Sequence, residues 1–186
     1  MKYFKKMESE HLYLAPLRIE DAEKFCEWIS DKRVSAGVNA TKDVFSLENE
    51  IKYLEAAINS KNELHFSIVK KDDDELIGSC SIVDIDYMAG CGELGIIIGD
   101  EKSRGKGYGK EVLRMLLDFG FNSLNFHSMH LTVYSFNKDA ISCYEKVGFK
   151  QVGKKREAGY HDGKYCDILL MDILKDEYKE LKWKNF

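Results

Sequence analysis

The sequence predicts an α+β fold: a mixed, mainly antiparallel central sheet flanked by helices. Two observations carry that expectation. From residue 93 to residue 134 the pattern reads strand, glycine-rich loop, amphipathic helix, strand, which implies a right-handed parallel crossover. On either side, apolar runs joined by short polar turns imply antiparallel hairpins. With 186 residues, 44% of them hydrophobic, the chain suits one domain, and residues 1–186 are expected to form it. There is one proline, Pro16, and no Pro/Ser-rich linker, repeat or low-complexity segment.

The elements follow in order. Residues 11–17 alternate Leu12 and Leu14 and read as a strand. Residues 21–29 carry Ala22, Phe25, Cys26 and Ile29 at helical spacing. The polar stretch 30–45 reads as a mobile loop or short helical turn over a site. Leu47, Ile51, Leu54 and Ile58 mark a second helix, with Ser46 placed to cap it. Residues 65–70 and 76–86 are strands joined by an acidic turn, and 92–99 is a third strand. Val112, Leu113, Leu116, Leu117, Gly120, Phe121 and Leu124 line one face of a strongly amphipathic helix. Then come a strand over 128–134, a helix over 138–147 and a strand over 149–160. Asp162-Gly163 is a two-residue hairpin signal, and the chain returns over 164–174. The tail from Asp176 reads as a short helix.

Composition excludes several functions. The net charge is −4, against the basic face that nucleic-acid binders usually carry. Residues 100–110 run the other way, with Lys102, Arg104, Lys106 and Lys110 against Asp100 and Glu101. Local positive charge on an acidic chain suits a small anionic ligand. No apolar stretch reaches the roughly 20 residues of a membrane span. The start, Met1-Lys2-Tyr3-Phe4-Lys5-Lys6, has charge without an apolar signal core, so a cytoplasmic location is expected. Five scattered cysteines (Cys26, Cys80, Cys91, Cys143, Cys166) read as reduced thiols, and no His/Cys/Asp cluster has metal spacing.

The loop Arg104-Gly105-Lys106-Gly107-Tyr108-Gly109 carries the chemistry. Three glycines at alternate positions remove the Cβ atoms that would keep a ligand from the backbone. A helix begins there, so its free N–H groups and its dipole both favour an anion, and a phosphate group is expected. A Walker A loop would need Gly at Asp100 and Ser or Thr at Gly107; a GxGxxG fingerprint would need Gly at Lys110 or Val112. Neither fits. The alternative is a flexible strand-to-helix turn with solvated lysines.

The same loop matches Arg/Gln-x-x-Gly-x-Gly/Ala at every fixed position, and so resembles the acetyl-CoA loop of the GNAT N-acetyltransferase superfamily. A second block, from Asn137 through Ala140 and Tyr144 to Gly148-Phe149, is similar to that family's Asn-x-x-Ala-x-x-x-Tyr-x-x-x-Gly-Phe pattern. The segment 159–174, with Asp162-Gly163-Lys164-Tyr165, is similar to the final hairpin of the ribosomal-protein, polyamine and amino-sugar branches. The resemblance covers roughly residues 10–178.

The resemblance implies that acetyl-CoA is the cosubstrate; with no metal spacing in the sequence, no metal is expected to take part. Ile96 and Ile98 would offer backbone groups to the pantetheine arm, and the N–H groups from Arg104 to Gly109 would hold the pyrophosphate. Asn137 would bond the arm; its alternative is a helix N-cap. Tyr144 would protonate the leaving thiolate; its alternative is a packed helical aromatic. Glu93 is the candidate base, or else a binder for a cationic acceptor, with His65, His130 and His161 as rivals. The acceptor would be a protein N-terminus, a polyamine, an amino sugar or another small amine. A homodimer is expected from resemblance alone. A CoA-binding sensor or scaffold is the competing function, and an intact Tyr144 counts against it.

Overall fold

Leu12, Tyr13, Leu14 and Ala15 are all buried, so this strand is covered on both sides. The computed structural model of the protein describes residues 3–38 and 45–178 and places that strand second in a sheet of eight. The strands are β1 (Met7–Glu8), β2 (Leu12–Pro16), β3 (Leu64–Lys70), β4 (Leu76–Asp86), β5 (Cys91–Ile98), β6 (Ser128–Tyr134), β7 (Lys150–His161) and β8 (Lys164–Leu174). Their order is β1-β2-β3-β4-β5-β6-β8-β7. Every neighbouring pair is antiparallel except β5 and β6. The helices are α1 (Ala22–Ser30), α2 (Lys32–Ser35), α3 (Leu47–Asn59), α4 (Tyr108–Asp118) and α5 (Lys138–Val147).

Two apolar layers sandwich the sheet. On one face Leu12, Leu14, Phe66, Ile68, Ile82, Leu94, Met129, Leu131 and Val133 pack on Val112, Leu113 and Leu116 of α4, with Ile141 and Tyr144 of α5 at its margin. On the other face Tyr13, Ala15, Val69 and Leu76 pack on Phe25 and Trp28 of α1 and on Leu54 and Ala57 of α3. This second layer covers the β1–β4 half. Under β5 and β6 the same face carries Glu93, His130 and Thr132, all partly open. Each of α4's buried apolar side chains removes about 1.5–3 kcal/mol worth of surface from water, which fixes the helix across the parallel pair.

The expected architecture is present, with local differences. Ser46 does cap α3, accepting from Asn49 N at 3.2 Å. Asp162 and Gly163 form the two-residue turn, both at positive φ, between paired His161 and Lys164. The long amphipathic helix is α4 followed by one π-helical turn, Phe119–Ser123, which keeps Phe121 on the buried side. The polar stretch opens as α2, capped by Asp31, then a 3-10 turn, Ala36–Val38; residues 39–44 lie outside the described residues. The expected tail helix begins as a 3-10 turn, Lys175–Glu177, and residues 179–186 also lie outside. Two-residue β1 has no periodicity by which the sequence could reveal it. Among the described residues no helix is long and apolar enough to cross a membrane.

Candidate active site

The site is built by a separation of strands. β5 and β6 pair only at Cys91–Ser128, Gly92–Met129 and Glu93–His130; beyond that they diverge. The remainder of β5 stays paired to β4 through Gly78–Ile98. The Gly99 N–H donates to the Ile77 carbonyl at 3.0 Å, which makes Gly78–Ile98 a non-hydrogen-bonded pair. By alternation the backbone groups of Gly95 and Ile97 face β4, while those of Ile96 and Ile98 face the gap. A cleft of about 690 Å³ occupies that gap. Its walls include Ile96, Ile98, Thr132 and Val133, and its mouth is formed by α2, the start of α4 and one face of α5.

The glycine loop forms the cleft's anionic end. Gly105 and Gly107 adopt φ of 72° and 89°, a left-handed region that side chains disfavour. Gly107 is the N-cap of α4 and gives no side-chain cap. The N–H groups of Gly105, Lys106, Gly107, Tyr108 and Gly109 have no partner among the described residues. That of Arg104 is different: it donates to the Glu101 carbonyl at 3.2 Å. Its side chain is also engaged, Nε donating to the Ile98 carbonyl at 3.0 Å and Nη2 to the Gly99 carbonyl at 2.9 Å. Its charge is therefore held in place, and Arg104 braces the end of β5 against its own loop. Ile98 is left with its N–H for the gap, and Ile96 with both groups. Lys106 is exposed and outside the cleft lining, whereas Lys110 lines it.

Helix α5 brings Asn137 and Tyr144 to the same cleft. Asn137 Oδ1 accepts from Ala140 N at 3.2 Å, so the residue is the N-cap of α5. Its Nδ2 has no hydrogen bond among the described residues. One turn of chemistry further on, the Tyr144 ring stands edge-on to Phe149 with centroids 6.1 Å apart. Burial, and then the neighbouring Cys143, push its phenol up to about 12. Burial also raises the Cys143 thiol, while Lys110, Lys146 and Arg114 pull it down; of these cations Lys110 and Lys146 line the cleft. Lys146 and Arg33 line the cleft and were not singled out in the sequence. Arg33 is ion-paired to Asp31 and Glu101; it lies in the polar stretch, where no periodic signal marks a site.

Glu93 is placed apart from these groups. It stands at the last β5–β6 pair, where the strands split, on the sheet face opposite Leu94 and α4. Its Oε1 accepts from Thr132 Oγ1 at 2.9 Å, and its side chain is 27% exposed. Tyr144 thus belongs to one face of the split and Glu93 to the other. Of the rival histidines, His65 lies 2.9 Å from Glu63, and His161 stacks on Phe136 at 4.1 Å; only His130 is beside Glu93, at 4.0 Å. Among the described residues no group of three metal-ligating side chains occurs.

Comparison with known proteins agrees with this geometry. Residues 11–150 match the model of the acetyltransferase (GNAT) domain. The chain is 31% identical over 178 residues to the N-acetyltransferase p20 of Bacillus licheniformis, covering 91% of this chain and 96% of that one. It is 33% identical over 111 residues to the spermidine N(1)-acetyltransferase of Vibrio cholerae, covering 60% and 64%. A crystal structure of spermidine N-acetyltransferase from Vibrio cholerae in complex with CoA and spermine superposes with a TM-score of 0.84 at 25% identity, covering 91% of this chain and 99% of that one. The splayed parallel strands, the glycine loop at a helix start and these matches together place the chain in the GNAT family, as an acetyl-CoA-dependent N-acetyltransferase.

Proposed function

We propose that the enzyme transfers the acetyl group directly to a small cationic amine within a ternary complex. The observation that carries this is the split between β5 and β6, with a phenol on one face and a carboxylate on the other. Free N–H groups from Gly105 to Gly109 hold the pyrophosphate at the start of α4, where the helix dipole favours it. The unpaired edge at Ile96 and Ile98 takes the pantetheine arm as an added strand, and Asn137 Nδ2 donates to that arm. The thioester then lies in the split. An amine approaching from the Glu93 side meets it in line, and such positioning supplies much of the acceleration.

Glu93 accepts the amine's proton, directly or through water, once the nitrogen begins to bond to carbon. Tyr144 serves the departing sulfur. Its phenol, near 12, stays protonated throughout the working range. An ordinary thiol titrates near 8.5, so complete transfer of the phenol's proton is uphill by about 5 kcal/mol. Tyr144 therefore acts chiefly as a hydrogen-bond donor to the developing thiolate.

The acidic side of the split supports a cationic acceptor: Glu93 stands there, and exposed Asp84 follows on the irregular end of β4. Two relatives of known acceptor are spermidine acetyltransferases. The test is thiol release from acetyl-CoA with spermidine, glucosamine and a peptide bearing a free N-terminus, with product mass read in each case. Spermidine should be the fastest; a preference for either neutral-backbone acceptor overturns the cationic assignment. We further propose that residues 1–186 act as one catalytic domain, in the cytoplasm, as a homodimer. Light scattering that finds only monomer at micromolar concentration refutes the dimer.

A further inference from the structure

Four neighbouring strands carry polar side chains on one rung of the sheet. The register pairs Glu93 of β5 with His130 of β6, His130 with Asp172 of β8, and Asp172 with Lys150 of β7. Residues opposite one another project to the same face, so this is one continuous row. It starts at the candidate base and runs away from the cleft. The next strand on the other side contributes apolar Val83, so the row has one polar direction only.

The contacts along the row are uneven. His130 Nε2 lies 4.0 Å from Glu93 Oε2, one side-chain adjustment or one bridging water short of a hydrogen bond. Glu93 is anchored by Thr132 through its other oxygen, which leaves Oε2 turned to the imidazole. At the far end the Lys150 ammonium pairs with Glu177 and not with its cross-strand partner. Asp172 therefore has no ion pair among the described residues. The imidazole is 41% exposed and the Glu93 side chain 27% exposed, so the histidine is the more open of the two.

We propose that His130 is a proton-relay residue for the acetyl transfer, carrying the amine's proton from Glu93 to water. This rests on Glu93 being the base. The N–H bond of the attacking amine breaks as its proton moves to Glu93 Oε2. His130 Nε2 then takes that proton, and the other ring nitrogen releases one to water. Glu93 is returned as carboxylate, and no oxidant or further reactant is needed. His130 touches neither acceptor nor thioester; it acts through Glu93.

The experiment compares wild type, Glu93→Gln and His130→Gln, with whichever of spermidine, glucosamine and the peptide N-terminus the wild type acetylates fastest. His130→Gln should lower kcat about tenfold in dilute buffer, leave KM for the amine within about twofold, and recover when imidazole is added. Glu93→Gln should be slower still, with no recovery. A His130→Gln enzyme of normal kcat, or one that imidazole does not rescue, overturns the relay while the base assignment stands. A Glu93→Gln enzyme of normal kcat overturns the base assignment instead.

Discussion

Tyr144 and Gly109 each separate a chemical role from a packing role. Tyr144→Phe keeps the edge-on contact with Phe149 and removes only the donor. Turnover at saturating acetyl-CoA should fall about 10²–10³-fold, the usual loss of one transition-state donor, with an unchanged melting curve. Because burial raises the phenol, its loss of a proton should not shape the wild-type rate profile below about pH 10. A folded Tyr144→Phe enzyme within twofold of wild type removes the phenol from the mechanism. The glycines divide differently. At Gly105 and Gly107 positive φ alone demands glycine, so substitutions there strain the loop as well as block a ligand. At Gly109 φ is ordinary, and an added Cβ would meet Cys143 Sγ at a tolerable 3.4 Å. Gly109→Ala should therefore hold or raise the melting temperature, since Ala favours helix by about 1 kcal/mol. It should weaken CoA binding about tenfold by calorimetry. Unchanged CoA affinity in that folded variant sinks the phosphate-loop assignment.

Helix α5 shows how one element serves both fold and site. Asn137 caps it with Oδ1 and presents Nδ2 to the cleft, so the two roles reside on separate atoms. Asn137→Asp preserves the cap, because Asp ranks with Asn there, and replaces the donor with an oxygen. Stability should stay within about 0.5 kcal/mol while KM for acetyl-CoA rises. Asn137→Ala should lose both, with about 0.5–2 kcal/mol of stability. If Asn137→Asp leaves KM unchanged, the residue is a cap alone. The same economy holds for β5: Arg104 braces its end through two carbonyls, which leaves Ile96 as the fuller backbone partner for a ligand.

A long-range tie links the sheet margin to the start of α4. Glu111, in the first turn of α4, accepts from Ser9 Oγ at 2.7 Å and from His11 N at 3.2 Å, and lies 2.8 Å from His11 Nδ1. The hydrogen bond to Glu111, and then its charge, raise His11 above 6.5. Burial pushes Glu111 up, but Ser9 and His11 outweigh it, so its net value falls below 4.5. A raised histidine stabilises fully below 6.5 and loses that contribution as pH climbs through its folded value. A lowered carboxylate stabilises above 4.5 and loses it as pH drops through its folded value. Both contributions coexist between 4.5 and 6.5. The melting-temperature gap between wild type and His11→Gln should be largest near about pH 5.5 and shrink by about pH 8.5. A gap that grows toward alkaline pH contradicts the tie.

Local chemistry was legible before any coordinates. The glycine spacing, the helix start after it, the Asn137–Tyr144 block, the Ser46 cap and the Asp162-Gly163 turn all depend on residues close in the chain. Propensity, capping and period act at that range, so the sequence by itself determined the longer elements, their crossover and the family resemblance, but not two-residue β1. It also named Ile96 and Ile98, whose outward backbone follows from strand alternation once β4 pairs with β5. What only the tertiary structure decided depends on residues far apart in sequence. Where β5 and β6 part depends on strand register, which joins residues more than thirty positions apart. The divergence after Glu93–His130 puts Glu93 and Tyr144 on opposite faces of one opening. Arg104 was legible as a cation but not as a brace, because its partners are carbonyls and carry no sequence signal. The row from Glu93 to Lys150 joins residues 57 positions apart and exists only through strand register, which a one-residue slip would turn to the other face.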